Sequence, residues 1–118
     1  MPVWNTLSAS EEPVLTLASW RVYELADGDR HLVGINERNR EGRVSSAVEQ
    51  LDTHTLTCRT GTGRVYRLAG RPGANLDASY VWDYWRRREG VTSYTEVTAE
   101  VWAAHIAAKL AAERAGEA

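Results

Sequence analysis

From Val14 to Leu25 the chain alternates, with Val14, Thr16, Ala18, Trp20 and Val22 on one side and Leu15, Leu17, Arg21, Tyr23 and Leu25 on the other. Period two is the signature of a β-strand. Asp27-Gly28 follows at once, and glycine's tolerance of positive φ makes that pair a hairpin turn. The rest of the first seventy residues repeats the scheme. Strands are expected over Arg30–Asn36, Arg43–Leu51, Thr55–Thr60 and Arg64–Ala69, separated by the polar run Glu37–Gly42, by Asp52-Thr53 and by Gly61-Thr62-Gly63. Five short strands joined by tight turns predict an antiparallel meander.

Gly70-Arg71-Pro72-Gly73 breaks that pattern, and the period then changes. Asn75 is placed to cap a helix whose buried face is Ala78, Val81, Trp82 and Trp85, with Tyr80 and Tyr84 as a flanking pair. Arg86, Arg87 and Arg88 suit the negative end of the helix dipole, and Gly90 stops the helix. Ser93 to Glu96 has the spacing of a capping box, with Thr95 or Thr98 as other caps. Val97, Val101, Trp102, Ile106 and Leu110 continue a second, alanine-rich helix to about Arg114. The expected fold class is α+β: a five-stranded antiparallel meander followed by two helices packed on the sheet. Residues 1–12 are expected to form a flexible arm, and 13–118 one domain.

Composition narrows the function. Cys58 is the single cysteine, which fits a reducing compartment. No signal-peptide pattern and no apolar run of membrane-spanning length is present, so a cytoplasmic protein without membrane contact is expected. The formal net charge of −2 gives no global attraction to nucleic acid. Locally, seven arginines between Arg59 and Arg88 face only Asp77 and Asp83. The bias toward arginine over lysine is also what a GC-rich bacterial coding sequence produces.

Enzyme chemistry finds little support. Asp52, His54 and Cys58 share parity, but no CxxC or HxxxH motif joins them. His31, His54 and His105 lie on three separate elements, and Gly61-Thr62-Gly63 connects strands, whereas a phosphate-binding loop feeds a helix. No catalytic residue, cofactor or metal ligand is therefore assigned. Arg64, Arg67 and Arg71, with Trp82, Trp85 and Arg86 to Arg88, are the candidate partner-binding residues, because Trp, Tyr and Arg dominate interface hot spots. Trp4 and one of Trp82 or Trp85 are the best candidates for exposure. The same arginines, with Arg59 and interleaved tyrosines, would suit a nucleic-acid backbone. The alanine-rich helix allows a homodimer.

The segments Trp20-Arg-Val-Tyr-Glu-Leu25, Gly28-Asp-Arg-His-Leu-Val-Gly34, Gly42-Arg-Val-Ser-Ser-Ala47, Gly63-Arg-Val-Tyr-Arg-Leu68 and Asp77-Ala-Ser-Tyr-Val-Trp82 resemble small uncharacterised proteobacterial proteins of plasmids, phages and integrative elements. The likeness covers roughly residues 19–98 and carries no catalytic motif. It implies a non-enzymatic inhibitor or modulator of a bacterial defence or nucleic-acid-processing complex, in an anti-CRISPR-like context.

Overall fold

The computed structural model describes residues 12–117, so Trp4 and most of the expected arm lie outside the described residues. The order is β1 (Val14–Leu25), β2 (Arg30–Asn36), β3 (Glu41–Val44), β4 (Val48–Asp52), β5 (Thr57–Thr60), β6 (Val65–Leu68), α1 (Leu76–Arg88), β7 (Tyr94–Glu96) and α2 (Thr98–Glu117). The class is α+β, but the sheet has seven strands and is mixed, where five antiparallel strands are expected. Its order is β3-β2-β1-β6-β5-β4, with β7 also paired to β1.

Three physical causes account for the differences. The expected third strand is broken at Ser45–Ala47, where the chain leaves one end of the sheet for the other. Laid flat, six strands would hold those ends ~24 Å apart. Val44 and Val48 are four peptide units apart, at most ~14 Å. The sheet must therefore curl into an incomplete barrel. The connector is held on both sides: the Ser45 amide donates to the Leu32 carbonyl (2.8 Å), and the Ala47 carbonyl accepts from Gly61 (3.0 Å).

In the observed strand order the last strand of the meander, β6, lies beside the first, β1, in parallel from Val14↔Val65 to Leu17↔Leu68. Finally, the expected capping box is not a cap. Tyr94, Thr95 and Glu96 pair with Leu25, Glu24 and Tyr23. The helix starts at Thr98, whose hydroxyl accepts from the Val22 amide (3.0 Å).

The alternation of β1 also slips once. Its register against β2 shifts between Ala18 and Arg21, and Ser19 takes φ 48°. One extra residue reverses the facing of everything beyond it. Leu15, Leu17, Trp20 and Val22 consequently all point inward, joining Leu32, Leu56, Cys58, Tyr66 and Leu68 in one buried core closed by Val97 and Val101. Gly34 makes room for the bulge, since a Cβ there would lie 2.9 Å from the Ala18 carbonyl oxygen. Arg43 is paired opposite this glycine and reaches Tyr66, its Nε donating to the phenol oxygen at 3.0 Å.

A second, smaller core lies outside the barrel. There α1 covers β2 and β3 with Ala78 and Trp82 against Val33 and Ile35. Only the start of α2 is anchored. Trp102 packs on Trp20, and His105 Nδ1 donates to the Thr53 carbonyl at 2.7 Å. Beyond Ala108 every described side chain of α2 is exposed, so this helix leaves the sheet where packing along it is expected.

Candidate binding face

The first helix is built to hold its side chains still. Asn75 is extended, and its Oδ1 accepts from the amides of Asp77 (2.8 Å) and Ala78 (3.1 Å). Gly42 lets the helix backbone lie directly on β3, since a Cβ there would sit 2.7 Å from the Asp77 carbonyl oxygen. Arg21 clamps the approach, with Nε on the Gly73 carbonyl and Nη1 on Glu96, both at 3.0 Å.

The inner face of α1 is an aromatic stack. Trp82 lies between Tyr23 (centroids 4.5 Å apart) and Trp85 (5.4 Å), with Tyr94 edge-on at 5.2 Å. His31 closes the far side of Trp85 at 4.6 Å, and its Nδ1 donates to the Ser45 carbonyl. Burial pushes the Tyr23 phenol above its ordinary pKa. Trp82 is only 4% exposed and Trp85 is half-buried, so the tryptophans serve mainly as packing. The Trp82 indole N–H has no hydrogen-bond acceptor among the described residues.

Exposure falls on the opposite face. Leu76 is 89% exposed, Tyr80 63% and Tyr84 45%. Spaced four residues apart, they form one ridge along the helix, continued by Arg88, whose guanidinium lies 5.9 Å from the Tyr84 ring centre. As site residues, Tyr80 and Tyr84 are expected only as tyrosines interleaved with the arginines of a nucleic-acid surface, and Leu76 is not among the expected site residues. The signal was present in the spacing 76, 80, 84, 88, which is the complement of the buried positions 78, 81, 82 and 85.

The expected arginine cluster does not assemble. Arg64 is 5% exposed, and its Nε donates to the Glu12 carbonyl, tying down the start of β1. Glu12, expected in the arm, is itself buried and accepts from Arg38 at 2.7 Å. Arg67 points outward from β6. Arg71 precedes α1, whereas Arg86, Arg87 and Arg88 end it, so about 18 Å of helix lies between the two groups. Arg86 and Arg87 both pair with Asp83, and Arg88 pairs with Glu89, so most of their charge is locally balanced. Arg86 also lies 5.5 Å from the Tyr94 ring centre.

Among the described residues, the cysteine and histidine singled out for chemistry lie away from this face. Cys58 points into the barrel, where burial pushes its thiol up to about 12. His54 is exposed in a turn, and Asp52 accepts from the amides of His54 and Thr55. The backbone bond to Thr55 is the main reason the Asp52 carboxyl lies below its usual range. Among the described residues, no three His, Cys, Asp or Glu side chains are grouped to hold a metal ion, and no helix is long and apolar enough to cross a membrane. A cleft of about 450 Å³ runs between residues 12–16 and 36–38, bordered by the Arg38–Glu12 pair. Comparison with protein-family models, with curated proteins and with solved structures finds no match.

Proposed function

We propose that this chain is a non-enzymatic binding protein that inhibits or modulates a partner by occupying its surface with the outer face of α1. The observation that carries this is the ridge of Leu76, Tyr80 and Tyr84 on a helix already fixed by its cap and by Gly42. Apolar anchors at i, i+4 and i+8 are how a helix lies in a partner's groove, and pre-organisation lowers the entropic cost of docking. The matching partner is a protein with an apolar groove whose rim is acidic near Arg87 and Arg88, which are 71% and 57% exposed. The resemblance to mobile-element proteins points to a bacterial defence or nucleic-acid-processing complex as the owner of that groove.

The test is a photo-crosslinking residue at position 80, with the same residue at Asp29, in an exposed turn, as control. Position 80 should give one dominant adduct in host lysate that Asp29 does not. Leu76→Asp and Arg88→Glu should remove it, with a loss of about 2 kcal/mol each if they are hot spots. Leu76→Asp should leave the melting temperature unchanged, and Arg88→Glu should lower it only slightly, because a helix-end charge and an exposed ion pair are each worth about 1 kcal/mol or less. Equal adducts from both positions, or none, would refute the proposal.

A second reading, nucleic-acid binding, rests on Arg59 and Arg67. They project from the same outer face of neighbouring strands, roughly 7–8 Å apart diagonally, without acidic partners among the described residues. It requires retention of labelled DNA or RNA at low salt that Arg59→Glu and Arg67→Glu abolish. Absence of low-salt retention removes it.

A further inference from the structure

We infer that α2 is a self-association element, by which two copies of this chain pair antiparallel along Ala103, Ile106 and Leu110. The helix spans 20 residues, about 30 Å, and touches the domain only near its start. Steps of about 100° per residue put Val101 and His105 on the anchored side. Ile106 (39% exposed) and Leu110 (50% exposed) lie on the side turned away. With Ala99, Ala103 and Glu113 they follow the 4-3-4-3 spacing of a coiled-coil seam. The seam is short and narrow, so its occupant should be another single helix.

Charge selects a second copy and gives its direction. A parallel pair would put Glu113 beside Glu113 of the partner subunit, in a seam that disfavours like charges. With the two-fold axis between Ile106 and Leu110, an antiparallel pair sets Ile106 against Leu110 of the partner subunit. Glu113 then meets Ala103 of the partner subunit. At the flanking positions Glu100 approaches Arg114 of the partner subunit, and the symmetry repeats that contact. Both are exposed and lack ion partners among the described residues. The dipoles also oppose favourably. Lys109 meets Lys109 of the partner subunit near the axis, a cost its long, solvated stem can relieve. One Ile/Leu contact repeated twice covers less than the ~1,200 Å² of a stable interface, so the dimer should dissociate on dilution.

Sedimentation equilibrium from low-micromolar to millimolar concentration tests this. The mass should rise from one chain toward two. Leu110→Asp should weaken association roughly tenfold or more while leaving the melting temperature of dilute protein unchanged. Glu100→Arg and Arg114→Glu should each weaken it, and their combination should restore it. Ala103→Cys mixed with Glu113→Cys should crosslink, whereas Ala103→Cys alone should not. A monomer at every concentration overturns the inference, whether the seam is then bare or covered by residues 1–11. So does a dimer insensitive to Leu110→Asp, a charge swap no better than its single variants, or self-crosslinking of Ala103→Cys.

Discussion

Gly42→Ala is the sharpest probe of how α1 is held. The backbone at Gly42 is outside the left-handed region, so alanine is conformationally allowed and the question is one of space. Its Cβ would lie 2.7 Å from the Asp77 carbonyl oxygen and 2.9 Å from Val81 Cγ2. The first neighbour is helix backbone, which cannot rotate aside, so the helix must retreat by roughly half an ångström or more to restore normal contact. Overpacking of this kind costs about 1–3 kcal/mol. Replacing glycine also stiffens the unfolded chain, which returns about 0.4–1 kcal/mol.

Gly61 isolates that second effect. A Cβ there meets nothing closer than Glu49 Oε2 at 3.7 Å, so Gly61→Ala should be neutral or slightly stabilising. The two variants should differ by about 2 kcal/mol, or roughly 6–10 °C in Tm for a chain of this size. Differential scanning calorimetry measures it, and the fluorescence of Trp82 and Trp85 should change only in Gly42→Ala. If Gly42→Ala melts at or above Gly61→Ala, the close docking of α1 on β3 is wrong.

Further outcomes follow from the same geometry. Asn75→Ala removes the cap on two amides and should cost about 1 kcal/mol in urea denaturation, with Leu76 and Tyr80 becoming more mobile by NMR relaxation. Tyr66→Phe removes the acceptor of Arg43 inside the barrel and should cost about 1 kcal/mol; a double-mutant cycle with Arg43→Met should recover most of it. The Cys58 thiol, raised from 9.0 to about 12 by burial, stays protonated in the fold while it ionises in the unfolded chain. The folded state therefore binds more protons between those values, so stability should decline from about pH 9 upward. Burial raises Tyr66 in the same direction. Cys58 should accordingly resist alkylation at pH 8 until denaturant is added; rapid native labelling would contradict its burial.

Much of the local structure was legible in the sequence, because short-range chemistry determines it. Alternation marked β1, Asp27-Gly28 and the apolar Leu32, Val33 and Ile35 marked the turn and β2, and Asn75 with the spacing of Ala78, Val81, Trp82 and Trp85 marked α1 and its buried face. Tertiary structure decided what depends on contacts distant in sequence. A strand's own pattern could not say that Ser45–Ala47 would bridge the two ends of a curled sheet, or that β6 would close against β1 in parallel. Nor could it reveal that a bulge at Ser19 would turn Trp20 and Val22 to the side of Leu15 and Leu17, because Gly34 on another strand accommodates it. The arginines show the same division. Their number is a property of the sequence, but a guanidinium's role depends on its neighbours. Folding sent Arg64 to a buried carbonyl, paired Arg86 and Arg87 with Asp83, and left the exposed ridge to Leu76, Tyr80 and Tyr84. Local propensity selects the elements; which faces remain open is decided only when they pack.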